Sequence, residues 1–249
     1  YLKSLMEYRL DFFVGLFGFL LRQTVGITFL YLIFQRIPDL NGWNFNQVVF
    51  IYGFYQLPRG LDHLLTDNLW ALSGQIIVQG NFDRYFLRSI NPLFHLIAEV
   101  FQPDALGEII VGIALLSVAT VNLGLTFSLL DILIFILVLI LATIIYTSVK
   151  LFFASFAFWI KFSQAILFMN YSISEFAKYP ISIYGKWLQK ILTYILPFGF
   201  TAFFPAGYFV GKFDLRMALG GVLVAAVIAF TIAYTTWLKE IKAYESAGN

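Results

Sequence analysis

Arg59, Asp62 and His63 stand at i, i+3 and i+4, a spacing that puts all three on one face of a helix. Such a trio can pair charges, relay a proton or hold a ligand. It opens the dense polar stretch of the chain, residues 59–108, which also carries Asp67, Asp83, Arg84, Arg88, His95, Glu99, Asp104 and Glu108. No nucleophile, base and orienting group stand out together in that stretch, so catalysis is not indicated and no catalytic residue is assigned. His63 and His95 lie far apart without carboxylates or cysteines at ligand spacing, so no metal site is expected. The absence of cysteine removes disulfides and thiolate chemistry. There is no GxxxxGK[ST], HExxH or GxSxG, so the chain is not expected to bind and hydrolyse ATP itself in the usual way. The plainest reading of the trio is an ion pair at the end of a membrane span.

The elements that must position these residues follow from composition. Of 249 residues, 60% are apolar and 12% charged, and the mean hydropathy is +0.83. That is too little polar surface to coat a soluble globule, so lipid must cover much of the chain. The apolar runs are too continuous for a barrel, and at roughly 20 residues per span the length accommodates about six helices in one domain, 1–249. Sixteen Lys and Arg against fourteen Asp and Glu give a net charge of +2, which excludes nucleic acid as a partner on charge grounds.

Residues 1–11 have the composition of an interfacial helix. The run 12–34 follows Lys3 and Arg9 and is long enough to remain a span rather than a cleaved signal. Its Arg22 is costly in hydrocarbon and is expected to face protein. Turn chemistry over 36–42 precedes a second span starting at Phe45. Residues 66–106 lack a spanning run and read as two short helices, Leu69 to Gln79 and Pro92 to Phe101, the second with an apolar stripe of Leu93, Phe94, Ile97, Val100 and Phe101. Spans are then expected over 106–121, 131–160, 162–179 and 217–238, with Lys150 snorkelling towards one face of the membrane. The stretch 191–210 is apolar but broken by Pro197, Gly199, Pro205 and Gly207, which favours a re-entrant hairpin. Gly221, Ala225, Ala229 and Ala233 repeat every four residues and predict a close helix-packing face. A slight excess of Lys and Arg in the flanks favours cytoplasmic termini, an orientation that rests partly on the resemblance described next.

This order of elements resembles the membrane subunits of ABC-2 type transporters. The resemblance rests on the block Gly80 to Pro92 (GNFDRYFLRSINP), similar to a Gly, acidic, Leu, Pro pattern after the second span. A subgroup with two different permeases and one ATPase is suggested by Leu2-Lys3-Ser4 through Glu7-Tyr8-Arg9, Leu40-Asn41-Gly42-Trp43, Tyr52-Gly53-Phe54, Tyr179-Pro180, Ile195-Leu196-Pro197 and Phe204-Pro205-Ala206. The resemblance implies a six-span all-α permease of the bacterial plasma (inner) membrane. An ABC ATPase dimer would carry ATP and Mg, and a second permease, related or identical, would complete the path. It implies ATP-driven efflux of an amphiphilic or drug-like compound, as in multidrug export. Trp70, Leu72, Ile76, Gly80, Phe82, Asp83 and Arg84 would form the coupling element towards the ATPase, and Arg22, Pro197, Phe200 and Pro205 the path and its outer gate. Aromatics, at 19% of residues with 29 Phe, suit flat or cationic amphiphiles. Two alternatives remain. A stand-alone channel or scaffold needs a continuous polar stripe, which the fourth and sixth spans lack; a lipid-modifying membrane enzyme would act as a single chain without ATP.

Overall fold

One helix, α2 (Phe45–Thr66), forms the axis of the computed structural model, which describes residues 9–244. Asn44 starts it through a capping box: its side chain accepts the Gln47 backbone N–H, and the Gln47 side chain accepts the Asn44 N–H. From Val48 to Gly60 every residue is buried, which is the signature of a helix surrounded by protein. A stretch closed in by protein can carry Gln56 and Arg59, and the buried Asp62 just beyond it.

The remaining helices and turns are arranged around α2. α1 (Arg9–Phe34) lies at the periphery, with Val14, Phe17, Val25 and Phe29 exposed as a lipid-facing surface. Short segments follow α2: α3 (Asn68–Ala71), a π turn over Leu72–Ile76, a 3-10 turn over Asn81–Tyr85, and α4 (Pro92–Ala98). α5 (Leu106–Leu123) stops at Gly124, whose left-handed φ of 64° closes the helix without the penalty of a side chain. α6 (Leu129–Ser155) begins at a Ser128/Asp131 capping box, and α7 (Ala157–Ile160) prolongs it. α8 (Gln164–Ser174) leads to α9 (Lys186–Lys190), α10 (Phe203–Phe209) and the long α11 (Val222–Ala243).

Among the described residues, four helical stretches are long and apolar enough to cross a membrane: Val14–Phe34, Pro103–Leu123, Leu129–Ile160 and Arg216–Ala243. Lys186–Ile195 and Phe198–Phe209 make a fifth if their bent pair is one span. The chain is therefore an all-helical integral membrane protein. The second expected span, α2, has the length, but its charges belong to the interior. The fifth, expected over 162–179, forms α8 with 11 residues, about 17 Å and shorter than the hydrocarbon layer. The interfacial helix expected over 1–11 lies outside the described residues except for its last three, which already belong to α1.

The broken stretch bends by 72° at Leu196 and Pro197. Beyond the bend Phe198, Gly199 and Thr201 to Gly207 are buried against α2 and α6, so the interrupted backbone sits inside protein where it can be tolerated. At that end of the bundle the loop before α2 is held down. Asn41 Nδ2 donates to the Ser182 carbonyl at 2.7 Å, Trp43 Nε1 to Ser182 Oγ at 3.0 Å and Lys212 Nζ to the Gly42 carbonyl at 2.9 Å.

At the opposite end, residues 66–106 build a second apolar cluster with α6, α8 and α11, in which Leu69, Leu72, Phe82, Tyr85 and Leu96 are fully buried beside Ala154, Ala233 and Trp237. The expected apolar stripe on α4 is corrected in part. Leu93 and Leu96 are its buried positions, while Phe94 and Phe101 are exposed, because α4 packs along the Asn68 side of the cluster.

α2 and α5 cross at glycine. A Cβ on Gly53 would lie 2.9 Å from the Leu116 nitrogen, and one on Gly112 would lie 3.0 Å from the Gly53 carbonyl oxygen. Backbone cannot retreat as a flexible side chain can, so Gly53→Ala is expected to destabilise by about 1–3 kcal/mol. Gly18→Ala, where a Cβ meets nothing within 4 Å, should leave stability unchanged or slightly raised. Denaturant unfolding of the two variants in one detergent checks this; equal effects would contradict the tight crossing.

Candidate functional site

Arg59, Asp62 and His63 do not pair with one another. They are the α2 side of a charged cluster drawn from four elements, and each is ion-paired to groups outside the trio. Asp62 Oδ2 lies 2.7 Å from Lys150 Nζ of α6, and Asp62 Oδ1 accepts from Thr147 Oγ1 at 2.8 Å and from Thr66 Oγ1 at 2.7 Å. The Thr66 hydroxyl in turn accepts from Lys150 Nζ at 3.0 Å. Lys150 is buried, so it does not snorkel. A carboxylate within reach on α2 is worth more to a desolvated ammonium than an extended path to the membrane surface.

Arg59 holds the other half. Its Nη1 donates to the Tyr55 hydroxyl at 2.6 Å, and its guanidinium carbon lies 4.4 Å from the Tyr171 ring centroid. Glu108 Oε2 of α5 stands 3.8 Å from Arg59 Nε, and Glu175 Oε1, just beyond α8, 3.7 Å from Nη2. His63 bridges onward, with Nδ1 3.3 Å from Glu108 Oε1 and Nε2 3.8 Å from Asp67 Oδ1. Glu108 thus does more than complement the positive end of the α5 dipole. The longer separations leave Arg59 Nε, Glu108 Oε2 and Asn170 Oδ1 buried without a hydrogen bond.

Arg59, Asp62, His63, Asp67, Glu108 and Lys150 line a cavity of about 260 Å³, completed by Trp70, Tyr146, Leu167, Asn170, Tyr171, Ser174 and Phe198. His63 and Asp67 keep 33% and 24% of their side-chain surface, so the cavity reaches the protein surface beside the 66–106 segment. Among the described residues no group of three or more His, Cys, Asp or Glu is arranged to hold a metal ion. The arrangement can bind and orient a polar or charged molecule.

Of the residues expected in a coupling element, Trp70 reaches this cavity. Leu72, Ile76 and Phe82 face inward, Phe82 at the centre of rings from Tyr85, Phe86, Phe158, Trp237 and Tyr244. Gly80 takes a left-handed φ of 68° and turns the chain into the Asn81–Tyr85 turn. Asp83 lies beside Tyr244, whose phenol is pushed up by burial and further by that carboxylate. Arg84 reaches Glu99 at 2.9 Å, and the Tyr85 hydroxyl also meets Glu99. Burial, then that carboxylate, holds the Tyr85 phenol above its ordinary range.

Arg22 is exposed on α1; it is Gln23 that faces protein, accepting from the Tyr52 hydroxyl at 2.5 Å. Adjacent helical residues point about 100° apart, and α1 touches the bundle along a narrow face. Pro197 and Phe200 line a separate apolar groove of about 660 Å³ together with Gly221, Ala225 and Ala229. Phe200 occupies the space a Cβ on Gly221 would need. Ala233 is buried in the second apolar cluster, and Pro205 is buried behind the bend. Sequence reasoning placed Glu108 in the polar stretch that the trio opens but did not connect Lys150, Tyr146, Asn170 and Tyr171 to it. The available signal was the lone Lys150 inside an otherwise apolar run, since an intramembrane charge needs a partner.

A family model described as ABC-2 family transporter protein matches residues 20–248 of the chain. No curated protein and no solved structure matches it.

Removing one partner of the Asp62–Lys150 pair strands a buried charge. Asp62→Asn and Lys150→Met are each expected to cost about 3–5 kcal/mol, while Asp62→Asn combined with Lys150→Met should cost clearly less than the sum. Denaturant unfolding of the three variants measures the coupling; strictly additive losses would show that the pair contributes nothing as a unit.

Proposed function

The chain belongs to the ABC-2 family of transporter proteins and is a membrane transport component, and on that premise we propose that it is the permease subunit of an ATP-driven exporter. It forms the translocation path with a second permease, identical or related, and takes its work from separate ATPase subunits that bind ATP and Mg. The cargo is an amphiphilic or drug-like compound, and the setting is a bacterial inner membrane with both termini cytoplasmic. The six-span topology counts α2 and the α8 region as spans shielded by other helices, and the bent stretch around Pro197 as an outer re-entrant gate with Phe200 and Pro205.

The observation that carries this reading is how residues 66–106 are attached. Leu72 and Phe82 are fully buried among side chains of α6, α8 and α11, so the segment moves with those helices as one packed body. Force applied to its outer face reaches α6, which bears Lys150, and Trp70 at the cavity wall. In this division of labour Leu72, Ile76 and Phe82 anchor the segment from within, and Gly80 shapes its turn. The ATPase would meet Asp83, Arg84 and the exposed Leu87. Docking of a short helical segment in a partner groove needs such protruding apolar anchors with flanking charges.

Leu87→Asp alters a side chain that is 85% exposed, so thermal unfolding of the chain should not change. ATP-driven transport in inverted vesicles should fall at least about tenfold, the loss of one interfacial anchor. Unchanged transport would remove this surface from the coupling path. Because the chain has no native cysteine, topology is read cleanly from Leu87→Cys and Lys186→Cys. An impermeant thiol reagent should label the first only from the cytoplasmic side and the second only from outside, and the reverse pattern would invert the orientation.

A further inference from the structure

The cavity between α2, α5, α6 and α8 is lined by more carboxylates than fixed cations. Asp62, Asp67 and Glu108 line it against two fixed cations, Arg59 and Lys150, while Glu175 at the Arg59 guanidinium is balanced by Lys178 at 3.3 Å. Both cations are already engaged. Lys150 is held by Asp62 and Thr66, and Arg59 by Tyr55, Glu108, Glu175 and the face of Tyr171. The third lining carboxylate is left to His63, whose ring nitrogens stand 3.3 Å from Glu108 and 3.8 Å from Asp67; while that ring is neutral the lining keeps one excess negative charge, which in a poorly solvated site favours a cation entering from outside.

We infer that this cavity is a binding site for a small organic cation, an ammonium carried on a flat or aliphatic body. The inference deepens the exporter reading and rests on it for treating that cation as cargo. Arg59 Nε, 3.8 Å from Glu108 Oε2, makes no hydrogen bond, and two buried acceptors at the cavity likewise lack one, Glu108 Oε2 and Asn170 Oδ1, on residues more than nine-tenths buried. An ammonium N–H supplies what the two acceptors lack. The rest of the wall is aromatic, with Trp70, Tyr146, Tyr171 and Phe198, and ring faces attract an organic cation while accommodating its apolar body. An inorganic ion is disfavoured because the carboxylates do not converge as a ligand group. The volume, about 260 Å³, equals the liquid share of on the order of eight waters, enough for a compact amine. Entry is available past His63 and Asp67, the partly exposed members of the lining.

The test uses the purified full-length chain in lipid nanodiscs, with 2-phenylethylammonium as probe and neutral 2-phenylethanol as its isostere, read by calorimetry. The ammonium should bind at least about tenfold more tightly than the alcohol, the strength of a charge-assisted hydrogen bond. Glu108→Gln and Asp67→Asn should each weaken the ammonium about tenfold to a hundredfold and leave the alcohol unchanged. Asp67 is partly exposed, so its substitution provides the test if Glu108→Gln does not fold. Equal binding of ammonium and alcohol, no ammonium binding, indifference to the folded carboxylate variants, or displacement by potassium at matching concentration would each overturn the assignment. No ATPase is present in this assay. A failure therefore removes the cation site while leaving the exporter reading intact, and success in a chain that never associates with an ATPase would retain the site and remove its role in export.

Discussion

The burial of Asp62 against Lys150 is the constraint on which the rest of the arrangement depends. Two ionised groups inside a lipid-embedded bundle are tolerable only as partners with their remaining hydrogen bonds made, and Thr66 and Thr147 complete that set. Satisfying it requires α2 to be the central helix and the Lys150 face of α6 to turn inward. Gly53 and Gly112 then let α5 approach α2 closely enough to bring Glu108 to Arg59. Lipid is left to the faces that have no such obligations, those of α1, α5, α6 and α11 with their exposed Val, Ile, Leu and Phe.

The same constraint links two ends of a mechanism. The charged cavity lies where the 66–106 segment meets the bundle, and Trp70 belongs to both. The segment carries its own apolar cluster, with Phe82 ringed by aromatics from three elements, so it behaves as an extension of α6 and α11. A two-state transporter needs a rigid element that receives force and a polar site whose partners can be exchanged. Both are within reach of one another here, whereas the apolar groove at Pro197 and Phe200 is bounded by different faces of α6 and α11.

Much of the fold was legible because lipid imposes a simple rule on helix length and composition. The start of α5 at Leu106, the turn at Gly124, the start of α4 at Pro92 and the break at Pro197 all follow from apolar runs and backbone chemistry, whereas α11 runs Val222–Ala243, each end five residues later than the expected 217–238. Helix rotation was not legible, since it is set by partners. Arg22 and Gln23 are neighbours in sequence, and only packing decides that Gln23 meets Tyr52. Lys150 has the stem to snorkel, and only the position of Asp62 decides that it does not. The small-residue stripe on α11 likewise splits: Ala233 packs in a core, while Ala225 and Ala229 line a groove. The charged trio was visible as a face of α2, but Glu108, Thr147, Lys150 and Glu175, which pair with it, lie 45 and more residues away on other elements.

The central claim is that this chain delivers the work of a separate ATPase to a charged intramembrane site. The most direct measurement is to isolate it from its native membranes in mild detergent and identify by mass spectrometry what accompanies it. The account predicts an ATP-binding-cassette ATPase together with a second permease of similar size or a second copy of this chain. Recovery of the chain alone as a homo-oligomer, with no ATPase, would contradict it.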